Sequence, residues 1–153
     1  MRSVLFVCLG NICRSPLGEG ILRDLAGKKG MPGDLEIDSA GTGNWHVGNP
    51  PDPRSVEVAA RHGIDISPLR ARQVRTADFE RFDLVLAMDG DNLAELRRRA
   101  GARAPALEAS GRLRRFLDRD VPDPYYGGPG GFDDVFDMLR RGAERLLDEL
   151  AAR

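Results

Sequence analysis

Apolar residues along this chain occur in two alternating patterns, short continuous runs and longer stretches with apolar positions every three or four residues. The runs predict buried strands, and so does one alternating segment, whereas the helical spacing predicts amphipathic helices. The predicted strands cover residues 3–8, 35–38, 83–88 and 113–117. The predicted helices begin at Ser15 and Pro16, cover residues 54–62 and 91–99, and run from Phe132 to the C-terminus. Strands that alternate with helices imply crossover connections, so we predict an α/β fold with a parallel sheet.

Turn-forming residues separate these elements. A capping hydroxyl followed by proline, Ser15-Pro16, marks the start of the first helix, and Thr76 is predicted to cap a short helical turn. Residues 41–53 and 120–131 are rich in Gly, Asn and Pro and are predicted to form loops. We see no internal repeat or linker, so we expect a single domain over residues 1–153.

The composition excludes several functional classes. A formal net charge of -1 provides no general attraction to nucleic acid or to an anionic membrane. No stretch approaches the roughly 20 apolar residues of a membrane span, and the N-terminus lacks the features of a signal peptide. The two cysteines lie in one short segment and form no disulfide framework. We therefore expect a cytoplasmic protein with reduced thiols.

The segment from Cys8 to Ser15 carries the chemistry that the sequence indicates most strongly. Cys8 ends the first predicted strand, where parallel α/β sheets bind ligands. The turn into the next helix gathers unpaired backbone N–H groups, which attract an anion, and Gly10 and Asn11 permit the tight curvature. Arg14 adds a planar guanidinium that matches two phosphate oxygens, and both it and the helix dipole favour a Cys8 thiolate. The loop thus offers a nucleophile and a phosphate cradle, with Ser15 able to donate a hydrogen bond to the sulfur.

The cysteine and arginine spacing alone is weak evidence for this chemistry. Cys8 would also suit a buried strand end, and Arg14 would suit a solvated helix position. What favours a phosphate-binding loop is the context, because the strand, the Gly-Asn turn and the Ser-Pro helix start all fall where the mechanism needs them.

The same segment resembles the signature of the low-molecular-weight protein tyrosine phosphatases, and it reads Cys8-Leu9-Gly10-Asn11-Ile12-Cys13-Arg14-Ser15-Pro16. Further motifs follow in the order of that family, within residues 38–54, 62–64, 71–73, 88–93 and 122–127. The resemblance implies a four-stranded parallel twisted sheet with helices on both faces. It also implies hydrolysis of phosphotyrosine in proteins through a phosphocysteine intermediate, without a metal or cofactor.

The resemblance assigns roles to further residues. Asp123, which on its own would be read as part of an Asp-Pro turn, becomes the general acid. We expect it to be buried near the thiolate, which would raise its pKa and keep it protonated until it protonates the leaving oxygen. Trp45, Tyr125 and Tyr126 would flank the phenyl ring, unless they pack on the protein's own surface, and Leu9 and Ile12 would complete the rim. Around the phosphate loop, a supporting network is expected from Asn11, Glu19, Ser39 and His62. His46 has no assigned role and is expected to be solvated.

Several alternatives share some of these features. An arsenate reductase of the same fold would need more cysteines, and a protein arginine phosphatase tends to have Thr in place of Ile12 and to lack the paired tyrosines. A flavodoxin-like flavin or phosphate-binding module is the alternative without catalysis. Zinc binding by Cys8, Cys13, His46 and His62 matches no standard spacing.

The expected partners are phosphotyrosine-containing proteins and a cognate tyrosine kinase. Cys13 is expected to trap oxidised Cys8 as a disulfide.

Overall fold

Parallel strands form the central layer of this computed structural model, which describes residues 2–31, 35–127 and 130–151. Within those residues one sheet contains four strands, in the order β2-β1-β3-β4. They are β1 (Arg2–Cys8), β2 (Leu35–Gly41), β3 (Leu84–Ala87) and β4 (Leu113–Arg115). Cys8 pairs with Gly41, and Val7 pairs with Ala87, so the carboxyl ends of the first three strands lie side by side.

Helices cover both faces of the sheet. They are α1 (Arg14–Lys28), α2 (Pro53–Arg61), α3 (Asp78–Arg81), α4 (Gly90–Ala100), α5 (Ala104–Ala109) and α6 (Gly130–Ala151). Alternate residues of β1 face opposite layers: Phe6 and Cys8 pack with α1, α2 and α6, while Leu5 and Val7 pack with α3, α4 and α5. This double burial explains the continuous apolar run of β1 and confirms the predicted four-stranded parallel fold. No helix of the described residues has the length and apolar character needed to span a membrane.

The predicted boundaries are shifted in places. β2 continues three residues beyond the predicted segment 35–38, because its last residues bond to the buried end of β1. α5 and the 3₁₀ turn Gly101–Arg103 were not predicted, since six or fewer residues are too short to show a helical period. The first residues of α6, Gly130 and Gly131, were assigned to the loop 120–131. Residues 128–129 of that loop lie outside the described residues.

The two predicted serine and threonine caps are wrong. α1 begins at Arg14, so Ser15 lies inside the first turn, and no side chain caps this helix. No side-chain hydroxyl caps α3 either: Thr76 accepts the backbone N–H of Phe79 with its carbonyl at 3.3 Å, and the carboxylate of Asp78 accepts the backbone N–H of Arg75 at 2.7 Å. Carboxylates do cap the other two helices that start near the site: Asp52 caps α2 and Asp89 caps α4.

Candidate active site

Residues 8–15, the phosphate loop, connect β1 to α1. Three of their carbonyl groups accept hydrogen bonds from other segments of the chain. The carbonyl of Cys8 accepts the N–H of Thr42 at 2.9 Å, that of Leu9 accepts Gly43 at 2.8 Å, and that of Ile12 accepts Asp52 at 2.8 Å. Among the described residues, no protein acceptor takes the backbone N–H groups of residues 9–14. The loop therefore presents a set of unpaired donors at a helix N-terminus, which is the arrangement that binds an anion.

A close backbone approach holds the loop in this curvature. A Cβ atom on Gly41 would lie 2.8 Å from the carbonyl oxygen of Leu9 and 3.1 Å from the nitrogen of Asn11. Asn11 has a φ of 58°, in the left-handed region that asparagine tolerates better than most residues. Its side-chain oxygen accepts the backbone N–H of Arg72 at 2.9 Å. The contacts with Gly41 and Arg72 therefore fix the conformation of the loop before any ligand binds.

An ordered series of hydrogen bonds leads to the sulfur of Cys8. The amide of Asn11 donates to the hydroxyl oxygens of Ser15 at 2.7 Å and Ser39 at 3.0 Å. The hydroxyl of Ser39 in turn donates to Glu19 at 2.6 Å, and Arg23 balances the charge of that buried carboxylate. Because the oxygen of Ser15 is already an acceptor, its proton is available to the Cys8 sulfur 3.0 Å away. The predicted grouping of Asn11, Ser39 and Glu19 is seen, and it orients a donor toward the nucleophile.

Arg14 is buried, with 2% of its surface exposed, and is held rigidly. One terminal nitrogen donates to Asp89 at 2.6 Å and to the carbonyl of Val121 at 2.9 Å, while the other lies 3.7 Å from the carboxylate of Asp123. Burial opposes the charge, but the charge of Cys8 and the hydrogen bond to Asp89 outweigh it and raise the pKa of Arg14. The guanidinium therefore stays charged beside the loop.

Asp89 was missed by the sequence reasoning as a site residue. It follows β3 at the carboxyl edge of the sheet, caps α4 with one carboxylate oxygen and binds Arg14 with the other. The signal available in the sequence was an aspartate directly after the strand next to β1.

The two cysteines differ in their environments. Burial, helped by the charges of Asp52 and Cys8, raises the pKa of the Cys13 thiol to about 12. Cys13 is therefore a neutral thiol at neutral pH, whereas the sulfur of Cys8 faces the donor Ser15 and the cation Arg14. Both are free cysteines. The geometry points to Cys8 as the nucleophile.

A cavity of about 380 Å³ opens above the phosphate loop. It is lined by Cys8, Leu9, Gly10, Ile12, Cys13, Arg14, Trp45, His46, Asp123, Tyr125 and Tyr126. This set brings the predicted nucleophile, the predicted acid and the predicted aromatic wall to one site. The cavity has a polar floor at Cys8 and Arg14 and an apolar rim, which suits an aryl phosphate.

The sequence and the fold both match known proteins. The family model described as low molecular weight phosphotyrosine protein phosphatase matches residues 3–153. The chain belongs to this family. It is 47% identical to the low molecular weight protein-tyrosine-phosphatase YfkJ of Bacillus subtilis, over 96% of this chain and 94% of that one, and 38% identical to the human low molecular weight phosphotyrosine protein phosphatase, over 97% and 95%.

Solved structures of the family superpose closely on this chain. The crystal structure of YfkJ gives a TM-score of 0.89 at 45% identity, covering 99% of this chain and 96% of that one. A protein tyrosine phosphatase from Entamoeba histolytica, crystallised with Hepes in the active site, gives 0.90 at 34% identity, covering 99% and 98%. The predicted fold and enzyme class, a protein tyrosine phosphatase that is a hydrolase, are confirmed by these matches.

The rim of the phosphatase cavity is more exposed than predicted. Asp123 was expected to be buried near the thiolate, but its side chain is 37% exposed, and one carboxylate oxygen accepts the backbone N–H of Tyr125 at 3.1 Å. Trp45 lies against Gly43 and is 68% exposed, and Tyr126 is 93% exposed. Tyr125 is half-buried and meets Tyr126 edge-on at 4.8 Å. These aromatic groups are placed at the mouth, where an incoming phenyl ring would pass.

The two histidines of the phosphatase are not where the sequence reasoning expected them. The ring of His62 stacks on Phe136 at 4.1 Å and forms no hydrogen bond with Asn11, Ser39 or Glu19. It follows α2 on the side that packs against α6, so the predicted network role has no contact to support it. His46 was expected to be solvated but is half-buried in the cavity wall, near Tyr125. Within the described residues, no three His, Cys, Asp or Glu side chains gather as metal ligands would.

Proposed function

We propose that Cys8, Arg14 and Asp123 carry out the hydrolysis of phosphotyrosine in proteins by two successive displacements. The observation that carries this proposal is that the Cys8 sulfur, the Arg14 guanidinium and the Asp123 carboxylate all line one cavity. Two displacements suit a thiolate nucleophile, because the covalent intermediate divides one difficult step into two easier ones.

In the first displacement, the Cys8 thiolate attacks phosphorus and the bond from phosphorus to the tyrosine oxygen breaks. The phosphate oxygens accept the free N–H groups of residues 9–14 and the guanidinium of Arg14, which stabilise the charge of the transition state. Asp123, protonated at the start, gives its proton to the departing phenolic oxygen. The products of this step are a phosphocysteine at Cys8 and the dephosphorylated tyrosine.

In the second displacement, the Asp123 carboxylate takes a proton from water, and the water oxygen attacks phosphorus. The bond between sulfur and phosphorus breaks, and the Cys8 thiolate leaves with the sulfur pair of electrons. The hydroxyl of Ser15, 3.0 Å from the sulfur, stabilises the departing thiolate. Inorganic phosphate is released and the site returns to its starting state.

The aromatic rim supports phosphotyrosine as the substrate. Trp45, Tyr125 and Tyr126 offer ring surfaces for a phenyl group, which a phosphoserine side chain could not use. The relatives are named as phosphotyrosine or protein-tyrosine phosphatases, which agrees with this choice. A cognate tyrosine kinase as partner, a cytoplasmic location and a single domain over residues 1–153 stay predictions.

Two variants test the assignment of roles. Cys8→Ser should bind substrate but lose turnover, because a hydroxyl supplies no anion at neutral pH. Asp123→Asn should reduce kcat/KM, which reports the first displacement alone, strongly with phosphotyrosine, whose phenol leaves poorly, and much less with p-nitrophenyl phosphate. Asp118→Asn removes an equal charge from an exposed position away from the cavity and should leave both rates unchanged.

A comparison of three phosphopeptides tests the proposed substrate class. Phosphotyrosine, phosphoserine and phosphoarginine peptides of the same sequence should give turnover with phosphotyrosine alone. Turnover of the phosphoarginine peptide at a comparable rate would refute the substrate proposal. An equal loss on both aryl substrates in Asp123→Asn would instead refute the role of Asp123 as the acid.

A further inference from the structure

Arg54, in the first turn of α2, joins the phosphate loop to the segment that carries Asp123. Its Nη2 atom donates to the backbone carbonyl of Tyr125 at 3.0 Å and to Oδ2 of Asp52 at 2.9 Å, and its Nε atom donates to Oδ1 of Asp52 at 3.0 Å. One planar group therefore contacts two segments that are far apart in the sequence. Residues 121–127, which contain Asp123, are called the acid loop below.

Asp52 anchors this contact to the phosphate loop. Its backbone N–H donates to the carbonyl of Ile12 at 2.8 Å, and its carboxylate caps α2. Hydrogen bonds from Arg54 hold the pKa of Asp52 below its ordinary value, which favours the ionised carboxylate. Asp52 is 7% exposed, which shields the pair on one side and makes its bidentate geometry firmer than that of an ordinary surface pair.

Aromatic contacts fix the plane of the guanidinium. The central carbon of Arg54 lies 4.5 Å from the ring centre of Phe132 and 5.5 Å from that of Tyr125. Phe132 is buried in the first turn of α6. The guanidinium is thus held by α6 as well as by Asp52, and it restrains both the backbone and the ring of Tyr125.

Tyr125 transmits this restraint to Asp123. The backbone N–H of Tyr125 donates to Oδ1 of Asp123 at 3.1 Å, while the carbonyl of the same residue accepts from Arg54. Asp123 is 37% exposed, and its other oxygen lies 3.7 Å from the guanidinium of Arg14, beyond hydrogen-bond distance. Its distance from the bound phosphate therefore depends on how the acid loop is attached to the rest of the site.

We propose that Arg54 is a positioning residue for proton transfer, which fixes the acid loop, and with it Asp123, relative to the phosphate loop. This inference rests on the proposed role of Asp123 as the general acid. Arg54 is not among the residues that line the cavity. Its loss should therefore reduce the proton-transfer contribution to the rate and leave phosphate binding in place.

The test compares leaving groups in Arg54→Met, which keeps the aliphatic stem and removes the donors. General acid catalysis contributes about 10²- to 10⁴-fold, so a displaced acid should lower kcat/KM, which reports the first displacement alone, by about tenfold or more for phosphotyrosine. The loss for p-nitrophenyl phosphate should stay within about threefold, because that leaving group needs little protonation. Arg61→Met is the matched control, since Arg61 lies on the same helix and its exposed ion pair with Asp133 includes no residue of the acid loop. It should behave as the unaltered enzyme.

A second variant pair separates positioning from a general loss of structure. In an Asp123→Asn background, Arg54→Met should cause no further selective loss with phosphotyrosine, because the acid is already absent. A further loss there as large as in the unaltered enzyme, or an equal loss on both substrates, would overturn the inference. Should Asp123→Asn itself show no dependence on the leaving group, the proposed function would be the part that fails.

Thermal unfolding of each variant checks that it is folded. If Arg54→Met does not fold, Arg54→Lys provides the same test, because an ammonium keeps the charge but cannot bond Asp52 and Tyr125 in one fixed plane. The same selective loss with phosphotyrosine is expected. Full activity of Arg54→Lys with both substrates would also overturn the inference.

Discussion

Ser15→Ala removes the one hydroxyl that the structure directs at the nucleophile. The oxygen of Ser15 lies 3.0 Å from the sulfur of Cys8 and accepts a hydrogen bond from Asn11 at 2.7 Å, so its proton points away from Asn11. Ser15 is fully buried, and the methyl group of alanine offers no donor in its place. Asn11 still donates to Ser39, but its amide hydrogen that faced Ser15 loses its acceptor, so thermal unfolding of the variant is measured alongside its rate.

The size of the effect follows from the charge on the sulfur. A hydrogen bond to a charged group contributes about 1.5–3 kcal/mol, and the diffuse charge of sulfur places this bond at the lower end. Because 1.4 kcal/mol corresponds to a factor of about ten in rate, release of the thiolate in the second displacement should slow by about tenfold.

Burst kinetics with p-nitrophenyl phosphate measure this step directly. The variant should show a lower steady-state kcat and a burst of nitrophenol that approaches one equivalent of enzyme, because the phosphocysteine accumulates. Ser55→Ala is the control: its hydroxyl is equally buried, but it donates to the carbonyl of Cys13 at 3.5 Å and not to the sulfur. A steady-state rate within twofold of the unaltered enzyme, with no change in the burst, would refute the reasoning for Ser15.

Three further predictions concern the same loop. Arg14→Lys should lose most of its turnover in steady-state assays although the charge is kept, because an ammonium cannot bridge two phosphate oxygens; activity within a few-fold of the original would show that charge alone suffices. Gly41→Ala should lower both the affinity for phosphate, measured by calorimetry, and the stability of the protein. The reason is that its Cβ would lie 2.8 Å from the carbonyl of Leu9. Unchanged binding would mean that the loop can shift to accommodate the methyl group. Iodoacetamide at pH 7 should label Cys8 alone, since burial raises the pKa of Cys13 to about 12. After treatment with peroxide and then dithiothreitol, Cys13→Ser should recover less activity than the unaltered enzyme. Equal recovery would leave Cys13 a packing residue.

Sequence patterns predicted the fold wherever burial alone determines structure. β1 is covered on both faces, so nearly all its residues are apolar and the run is easy to recognise. The last residues of β2, by contrast, bond to the buried end of β1, and their sequence Ser39-Ala40-Gly41 carries no apolar period. The side-chain caps failed for a similar reason. Ser15 has a capping sequence, but the tertiary contact with Cys8 and Asn11 uses its hydroxyl instead.

Site residues were predictable from the sequence where neighbours along the chain act together. Cys8, Arg14 and Ser15 share one turn, so the physical argument needs only local geometry. Asp89 and Arg54 act across the fold, through contacts between residues that are 75 and 71 positions apart. No local pattern marks such a pair, and even His46, which is close to Trp45 in sequence, enters the cavity only because of how its loop folds.

The balance of charge in the cavity explains why backbone groups dominate phosphate binding. A phosphate dianion arrives beside the Cys8 thiolate, while Asp89 already engages the guanidinium of Arg14, the single arginine among the described residues that line the cavity. One cation cannot offset these negative charges, so the unpaired N–H groups of residues 9–14 and the α1 dipole must supply most of the stabilisation.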